Sequence, residues 1–280
     1  GLNSPLKIYK LNEQISSGKR INRPSDDSLD SGKVLDYRNM LSSIDQYKKN
    51  VDRGIALLRN TESALAGAEQ IFIEAKVVAE QMATGTYSDE QRDMLAAQAE
   101  HFFEGLMVVG NTKVGDRYIF SGYKTDTKPF TRDEYYNISY HGDNNQIKFE
   151  IQQGTHVSIN ITGQNVFIDG TNSFEVLKDL RNALKNNDLE AIGEALNVID
   201  DALKQIVRER AIVGIALHAM ESSKNILEEF GLQTVELLSN TEDADIVDAF
   251  SKLQMREIAF EATLLSTSMI TGLSLVNFLY

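Results

Sequence analysis

A seven-residue repeat of apolar side chains runs through more than fifty residues, from Leu29 to Met82, without a proline. One position of the repeat is held by Tyr37, Ile44, Val51, Leu58, Leu65, Phe72 and Ala79. The second is held by Met40, Tyr47, Ala68, Ala75 and Met82, with Gly54 and Thr61 as weaker members. A repeat of this length keeps one seam of a helix against a partner, so it predicts a helical bundle rather than a globule.

The segment before this helix, residues 16–27, joins it to an earlier helix. Gly18 suits the left-handed position just past a helix end, and Arg20 lies where a cation opposes the negative end of the helix dipole. Pro24 cannot continue a helix, while Asp26 and Asp27 supply N-cap acceptors for the next one. By themselves these residues predict an ordinary turn between two helices.

The remaining helical segments are bounded by capping and breaking signals. A capping box that starts at Ser88 begins a helix with apolar periodicity to about Val114. Ser173 can cap the return to helix, and a break at residues 187–188 precedes a longer amphipathic helix. A last heptad-patterned helix begins near Asp243.

Past Gly115 the apolar period changes from that of a helix to that of strands. Four alternating or β-branched stretches follow, at residues 136–140, 146–151, 157–161 and 166–168. Polar or glycine-containing turns separate them, at residues 141–145, 152–155 and 162–163. Short strands joined in this way predict hairpins of one small sheet.

Both chain ends are thus helical, with strands inserted between them. We predict a mainly α fold with inserted β: an elongated helical bundle built from both chain ends, plus a small central antiparallel β domain. The predicted regions are an inner coiled coil (residues 1–27 and 264–280), a helical bundle (28–117 and 173–263) and a β domain (118–172). We expect the first long helix to pack along residues 189–238, with five side chains in one seam: Val51, Leu58, Leu65, Leu203 and Ile206.

Charge and composition exclude several classes of protein. The net charge of −13 opposes the binding of nucleic acid, which requires clustered Lys and Arg. The chain has no cysteine, and therefore no disulfide framework, thiolate zinc site or cysteine nucleophile. No apolar run reaches the roughly eighteen residues that span a bilayer, and we recognise no secretory signal peptide. We expect neither nucleic acid nor membrane as a partner.

The last residues, 264–280, contain no charged side chain, although the preceding helix is rich in them. A lone helix of this composition would leave large apolar side chains in water, which usually marks an interface. The predicted interface residues are Leu264, Leu265, Met269, Leu273, Val276 and Leu279. Alternatively, this strip packs on the chain's own N-terminal helix through Leu6, Leu11 and Ile15, and the two interpretations are compatible.

Three separated segments resemble flagellar axial proteins. The run S-x-G-x-R-x-N-x-x-x-D-D, with Gly18, Arg20, Asn22, Asp26 and Asp27, resembles the spoke of bacterial flagellins and hook-associated proteins. Residues 242–246 are similar to both groups. A third segment resembles the Y-x-F-S-G-x-x-T-x-x-x-P-F signature of the hook-filament junction family, hook-associated protein 3; its residues are Tyr118, Phe120, Ser121, Gly122, Thr125, Pro129 and Phe130. The ending, residues 273–279, also resembles that family.

The resemblance covers about two-thirds of the chain and leaves the β domain unsupported. It implies a structural subunit of the bacterial flagellum that is exported unfolded by the type III apparatus, after a cytoplasmic chaperone has covered its C-terminus. It further implies a ring of copies between the first hook-associated junction protein and the flagellin filament. Fewer residues precede Gly18 than the family's N-terminal helix has, so we expect part of that helix to be missing here.

Two alternatives and one chemical possibility remain open. The chain could be a minor flagellin, or a stalked surface module whose β domain binds a glycan or receptor by stacking Tyr135, Tyr136, Tyr140 and Phe149. His141, Asp143 and His156 could converge on a metal, but they lie in or near polar turns and lack a metal-binding spacing. We therefore predict no catalytic residues, no metal and no cofactor.

Overall fold

A computed structural model of the chain describes residues 4–85 and 87–278, and its side chains between residues 5 and 269. Its α-helices are α1 (Ser4–Ser17), α2 (Ser28–Thr84), α3 (Asp89–Gly110), α4 (Ser173–Asn186), α5 (Leu189–Glu242) and α6 (Ile246–Phe278). Its strands are β1 (Lys113–Val114), β2 (Arg117–Tyr118), β3 (Phe130–Arg132), β4 (Ile138–Tyr140), β5 (Lys148–Gln152) and β6 (Thr155–Ser158). The predicted class, mainly α with a small inserted antiparallel β region, is confirmed. Within the described ranges, no helix has a stretch apolar and long enough for a membrane span.

The chain divides into two compact units. A terminal unit contains residues 1–45 and 228–280, and a central unit contains residues 46–227. Each unit is built from parts of α2 and α5 together with shorter elements. The region boundaries given by the sequence follow expected roles in assembly rather than compactness, and they stay a prediction.

In the central unit α2 and α5 run antiparallel. The ion pairs Asp52–Lys224 (2.8 Å) and Lys76–Asp200 (2.7 Å) join the helices in opposite chain order. The buried heptad side chains are Val51, Leu58, Leu65, Phe72 and Ala79 of α2, with Ile192, Ile199, Ile206, Val213, Met220 and Leu227 of α5. The predicted seam is therefore confirmed except at Leu203, which is half-buried because Ala202 takes the inward position.

One polar residue interrupts the predicted seam of α5. Arg210 forms ion pairs with Glu62 and Glu69, which lie one heptad apart on α2. These hydrogen bonds raise the pKa of Arg210 above its ordinary value. At this position of the seam, the Arg210 cation is therefore compensated by two carboxylates of α2.

The terminal unit has a smaller apolar core. The hydroxyl of Thr234 on α5 contacts the sulfur of Met40 on α2 (3.5 Å), and α1 packs along α6. The buried apolar residues of this unit are Ile21, Val34, Ile44, Ala249 and Leu253. The first three come from the N-terminal stretch and the other two from α6.

The inserted β region differs from the single sheet that we predicted. The described strands form three separate two-stranded antiparallel ladders, β1–β2, β3–β4 and β5–β6. Residues 166–168, predicted as a strand, belong to a π-helix (Gln164–Ile168), in which the N–H of Asp169 donates to the carbonyl of Gln164 (2.8 Å). A three-residue apolar run has no periodicity that separates strand from buried helix.

Caps set the helix ends in this region. The predicted capping box at Ser88 is confirmed. The cap of α4 is Asn172 rather than Ser173, because its side-chain oxygen accepts the N–H groups of residues 174 and 175. Helix α3 ends at Gly110 rather than near Val114, since the side chain of Asn111 exchanges two hydrogen bonds with the backbone of Phe130.

Five phenylalanines fix the inserted region to α3 and α4. Phe103, Phe120, Phe130, Phe167 and Phe174 have no exposed surface. The rings of Phe130 and Phe174 lie 4.9 Å apart, and those of Phe120 and Phe167 5.4 Å apart. Such tilted and edge-on pairs add to the free energy gained by burial.

A buried amide on α5 holds the inserted region from the other side. Gln205 accepts the N–H of Thr171 (3.0 Å) and donates to the carbonyl of Val166 (2.9 Å). Its amide is thus satisfied at both ends, as a buried polar group requires.

Candidate assembly surface

The spoke loop, which we define as residues 18–27, has the local geometry that its sequence predicts. Gly18 has φ +70° and its N–H donates to the carbonyl of Gln14 (2.9 Å), so it ends α1 in the left-handed region. The carboxylate of Asp27 accepts the N–H groups of Leu29 (3.2 Å) and Asp30 (3.1 Å), which caps α2.

Asp26 and Asn22 tie the spoke loop to α1 and to itself. The carboxylate of Asp26 accepts hydrogen bonds from the Lys10 ammonium (3.0 Å) and from the N–H of Arg23 (2.9 Å). These two contacts, the Lys10 hydrogen bond first, lower the pKa of Asp26. The side-chain amide of Asn22 donates to the carbonyl of Lys19 (3.1 Å). The loop therefore has a defined shape.

Arg20 connects the loop to both α2 and α5. Its guanidinium donates to the carboxylate of Asp30 (2.6 Å) and to the carbonyl of Thr241 (2.8 Å). The Asp30 contact raises the pKa of Arg20 and lowers that of Asp30. Arg20 thus joins the beginning of one long helix to the end of the other.

The spoke loop also pairs with the turn between α5 and α6, residues 242–245, which we call the corner. Lys19 and Asp243 form an isolated antiparallel bridge. The N–H of Arg20 donates to the carbonyl of Glu242 (2.7 Å), and that of Ala244 to the carbonyl of Gly18 (2.9 Å). All five predicted spoke residues therefore form hydrogen bonds that shape the loop. Two of them, Gly18 and Arg20, also bond to the corner through their backbone.

Sequence reasoning missed the residue at the centre of this contact. The side chain of Glu242 is buried and pairs with Lys19 (2.9 Å) and with Arg38 of α2. The sequence indicates residues 242–246 only through their resemblance to flagellar proteins. Lys19 and Glu242 are 223 positions apart, so no local pattern joins them.

The described part of the predicted C-terminal interface is exposed. Leu264, Leu265 and Met269 are 55%, 62% and 66% exposed. Leu273 and Val276 lie on α6 beyond the described side chains, and Leu279 lies outside the described residues. The alternative contact is present in part: α1 packs along α6 with Leu11 and Ile15 half-buried.

More of α6 is apolar and exposed than the strip we predicted. Its other exposed large side chains are Ile246, Val247, Phe250, Met255 and Ile258, and α1 adds Leu6 and Tyr9. Side chains of this size seldom cluster on the surface of a soluble monomer without a partner. The apolar face therefore extends along the described length of α6.

Five of the seven signature residues are buried in the core, and Tyr118 and Thr125 are half-buried. Phe120 and Phe130 are fully buried, and Pro129 accepts the N–H of His141 (2.8 Å). Ser121 donates to the carbonyl of Tyr118 (3.2 Å), and the N–H of Tyr118 donates to the carbonyl of Thr125 (2.7 Å). The signature thus specifies how this segment folds.

Glycines fit closely around these residues. Gly122 has φ +68°, and a Cβ there would lie 2.2 Å from the carboxylate of Asp143. A Cβ on Gly163 would lie 2.6 Å from the ring of Phe130. Larger side chains at either position would collide with the packed segment.

Two of the three candidate metal ligands, His141 and Asp143, form hydrogen bonds with other groups. The Nε2 atom of His141 lies 2.7 Å from the hydroxyl of Thr131. Asp143 accepts the N–H groups of Tyr123 (3.0 Å) and Asn145 (2.9 Å), which lowers its pKa, and His156 is exposed on β6. Within the described part of the chain, no three His, Cys, Asp or Glu side chains are arranged to hold a metal ion.

Two of the four candidate sugar-stacking aromatics, Tyr136 and Tyr140, are engaged internally. The guanidinium groups of Arg132 (4.6 Å) and Arg181 (4.3 Å) both lie over the ring of Tyr136. The hydroxyl of Tyr140 donates to the carbonyl of Phe120 (2.8 Å), and burial, with the charge of Asp143, raises its pKa to about 12. Of the four aromatics, Tyr135 is exposed.

Comparison with known proteins separates the possible identities. Residues 3–125 match the family described as the bacterial flagellin N-terminal helical region. Flagellar hook-associated protein 3 of Escherichia coli (strain K12) is 28% identical over 305 residues, which cover 98% of this chain and 93% of that protein. Over nearly its full length the chain is thus similar to flagellar hook-associated protein 3.

A flagellin and a solved junction protein are also similar to this chain. A flagellin of Listeria innocua is 23% identical over 92% of this chain and 86% of that protein. The solved flagellar junction protein FlgL of Legionella pneumophila has a similar fold, with a TM-score of 0.64 and 17% identity over 77% of this chain and 100% of that chain. The chain is a structural component of the bacterial flagellum.

Proposed function

We propose that this chain is the subunit that joins the flagellar hook to the filament, and that it assembles through α1 and α6. The observation that carries the proposal is the exposed apolar face of α6, including Leu264, Leu265 and Met269. A helix of this kind gains free energy when neighbouring subunits remove its side chains from water, at about 25 cal/mol per Å² of apolar area.

The proposed partners follow from the same face. We infer a ring of copies of this chain, with the first hook-associated junction protein on one side and flagellin on the other. Before assembly the apolar face needs a cover, so we also propose a cytoplasmic export chaperone and secretion through the flagellar type III apparatus. The spoke residues Gly18, Arg20, Asn22, Asp26 and Asp27 would hold the loop that supports α1.

We propose no catalytic activity. The titratable groups of the β region take part in turns, ladders and ion pairs: Asp133, for example, accepts the N–H groups of Tyr135 (2.9 Å) and Asn137 (2.8 Å). Elemental analysis of protein purified without chelator tests this. One stoichiometric transition metal that is lost in His156→Ala would contradict the proposal.

A deletion strain tests the junction role. We expect cells without this chain to keep their hooks and lose their filaments, as seen by electron microscopy, and we expect the full-length chain to restore swimming. A minor flagellin would give the opposite result, because filaments would still form from the major flagellin. Filaments of normal length in the deletion strain would therefore refute the junction role.

A further inference from the structure

The buried carboxylate of Glu242 occupies an unusual position in the terminal unit. Its side chain is 6% exposed, at the last residue of α5, in a unit with few buried apolar side chains. A carboxylate is rarely buried unless cations and hydrogen bonds compensate for its lost hydration. Here two cations do so, the Lys19 ammonium at 2.9 Å and the Arg38 guanidinium.

The backbone of the same residue holds the spoke loop. The carbonyl of Glu242 accepts the N–H of Arg20 (2.7 Å) and that of Ile21 (3.4 Å). Side chain and carbonyl together thus join the corner, to which Glu242 belongs, to the spoke loop and to α2. Those three elements come from parts of the chain that are far apart in sequence.

Only three residues, 243–245, separate α5 from α6, so the direction of α6 depends on the geometry of this turn. Asp245 caps α6 by accepting the N–H of Asp248 (3.0 Å), and the N–H of Ala244 donates a hydrogen bond to the carbonyl of Gly18. Without the Glu242 carboxylate, Lys19 and Arg38 would face each other as two like charges close together. This repulsion would weaken the contact between the spoke loop and the corner.

We propose that Glu242 is a positioning residue for assembly: its charge locks the spoke loop onto the corner and so fixes the direction in which α6 presents its apolar face. This inference rests on the proposed function of that face. It assigns to Glu242 a role that depends on negative charge and not on side-chain volume.

Full-length Glu242→Gln and Glu242→Ala test the proposal, and Gln keeps the volume while removing the charge. The matched control is Glu221→Gln, which breaks an exposed ion pair with Arg59 (2.9 Å) in the central unit. We expect the N–H groups of Arg20 and Ala244 to exchange hydrogen about tenfold faster or more in both Glu242 variants. Exchange of the α2 and α5 seam in the central unit should not change, and the control should match the wild type at every amide.

In a deletion strain we expect both Glu242 variants to restore swimming less well than the wild type, whereas the control restores it fully. A charge exchange separates charge from shape. Glu242→Lys alone should fail, and its combination with Lys19→Glu and Arg38→Glu should recover part of the protection at Arg20 and Ala244. A merely structural role of the side chain would not produce that recovery.

Two results would overturn the inference: wild-type exchange in Glu242→Gln, or no recovery in the charge exchange. Failure of the proposed function is distinguishable, because it would appear as filaments in the deletion strain itself. The exchange rates of Arg20 and Ala244 would still decide the role of Glu242 in that case.

Discussion

Gly115 and Gly122 have nearly the same backbone conformation, with φ +61° and +68°, but different surroundings. A Cβ on Gly115 meets nothing within 4 Å, while one on Gly122 would lie 2.2 Å from the carboxylate of Asp143 and 2.4 Å from its backbone oxygen. The pair separates the cost of a left-handed residue from the cost of a collision.

We expect Gly115→Ala to lower the free energy of unfolding by about 1 kcal/mol, because of the left-handed backbone alone. Gly122→Ala should cost a further ~1–3 kcal/mol, since Asp143 must move and lose its hydrogen bonds. Urea denaturation of the two variants measures both values. Equal losses would show that the packing around Gly122 is not tight.

Asp26 predicts a pH dependence in the spoke loop. Its pKa in the folded chain lies below the ordinary value of 3.8, so its contribution to stability is complete above that value and is lost as the pH falls through the folded pKa. We expect the amide signals of α1 to shift below about pH 4 in an NMR titration of the wild type. In Asp26→Asn that transition should be absent; if it persists unchanged, another group is responsible.

At the scale of elements, the sequence predicts the helices well and the inserted region poorly. The heptads of α2 predict a long helix clearly, because every seventh residue from Ile44 to Ala79 is apolar and buried. Strand β3 was missed, since Phe130–Arg132 is short and pairs with β4 through contacts that no local pattern encodes. The apolar pattern predicts a strand where the π-helix lies, because burial of Val166 and Phe167 explains their apolar character in either conformation.

The candidate site shows the same division. Gly18 and Asp27 follow from local rules of helix ends, and the uncharged C-terminal strip is evident from composition alone. Glu242 could not be found in this way, because its partners Lys19 and Arg38 lie on elements that only the folded terminal unit brings together. Signature residues such as Phe120 lie in the core, and the resemblance alone does not show that they are buried.

The seam between α2 and α5 can be tested with one charge. Leu58 is 2% exposed, so Leu58→Asp places an unpaired carboxylate among apolar side chains and should lower the free energy of unfolding by about 3–5 kcal/mol. The control is Val77→Asp, on the same helix but 46% exposed, which should change it by less than about 1 kcal/mol. Thermal unfolding measures both. An unchanged unfolding temperature in Leu58→Asp would refute the packing of α2 against α5.

At the scale of the whole molecule, apolar side chains are distributed unevenly between the two units. The central unit buries continuous heptads on α2 and α5, whereas the terminal unit leaves Val247, Met255 and Ile258 of α6 more than half exposed. Stability of the isolated chain should therefore depend on the central unit, and assembly on the terminal one.

The triple variant Leu264→Ser, Leu265→Ser and Met269→Ser tests this separation. We expect it to unfold at the wild-type temperature, because these side chains are already exposed, and to fail to support filaments in the deletion strain. Deletion of residues 264–280 should have the same effect. Normal swimming would refute the interface.

A control shows whether any loss of surface apolar area has this effect. Met94 and Val108 of α3 are 66% and 72% exposed, and their replacement by Ser should leave filaments intact. If the triple variant unfolds at lower temperature while the control does not, the C-terminal strip contributes to the monomer's own core.

The ion pair between Lys19 and Glu242 also limits when the terminal unit can fold during synthesis. The two residues are separated by 223 positions, and a ribosome adds about 5–20 residues per second, so roughly 11–45 s pass between the two. Throughout that interval the residues of α1 have been synthesised and those of α6 have not. The terminal unit is consequently the last part of the chain that can close, and its N-terminal helix waits longest for its partner.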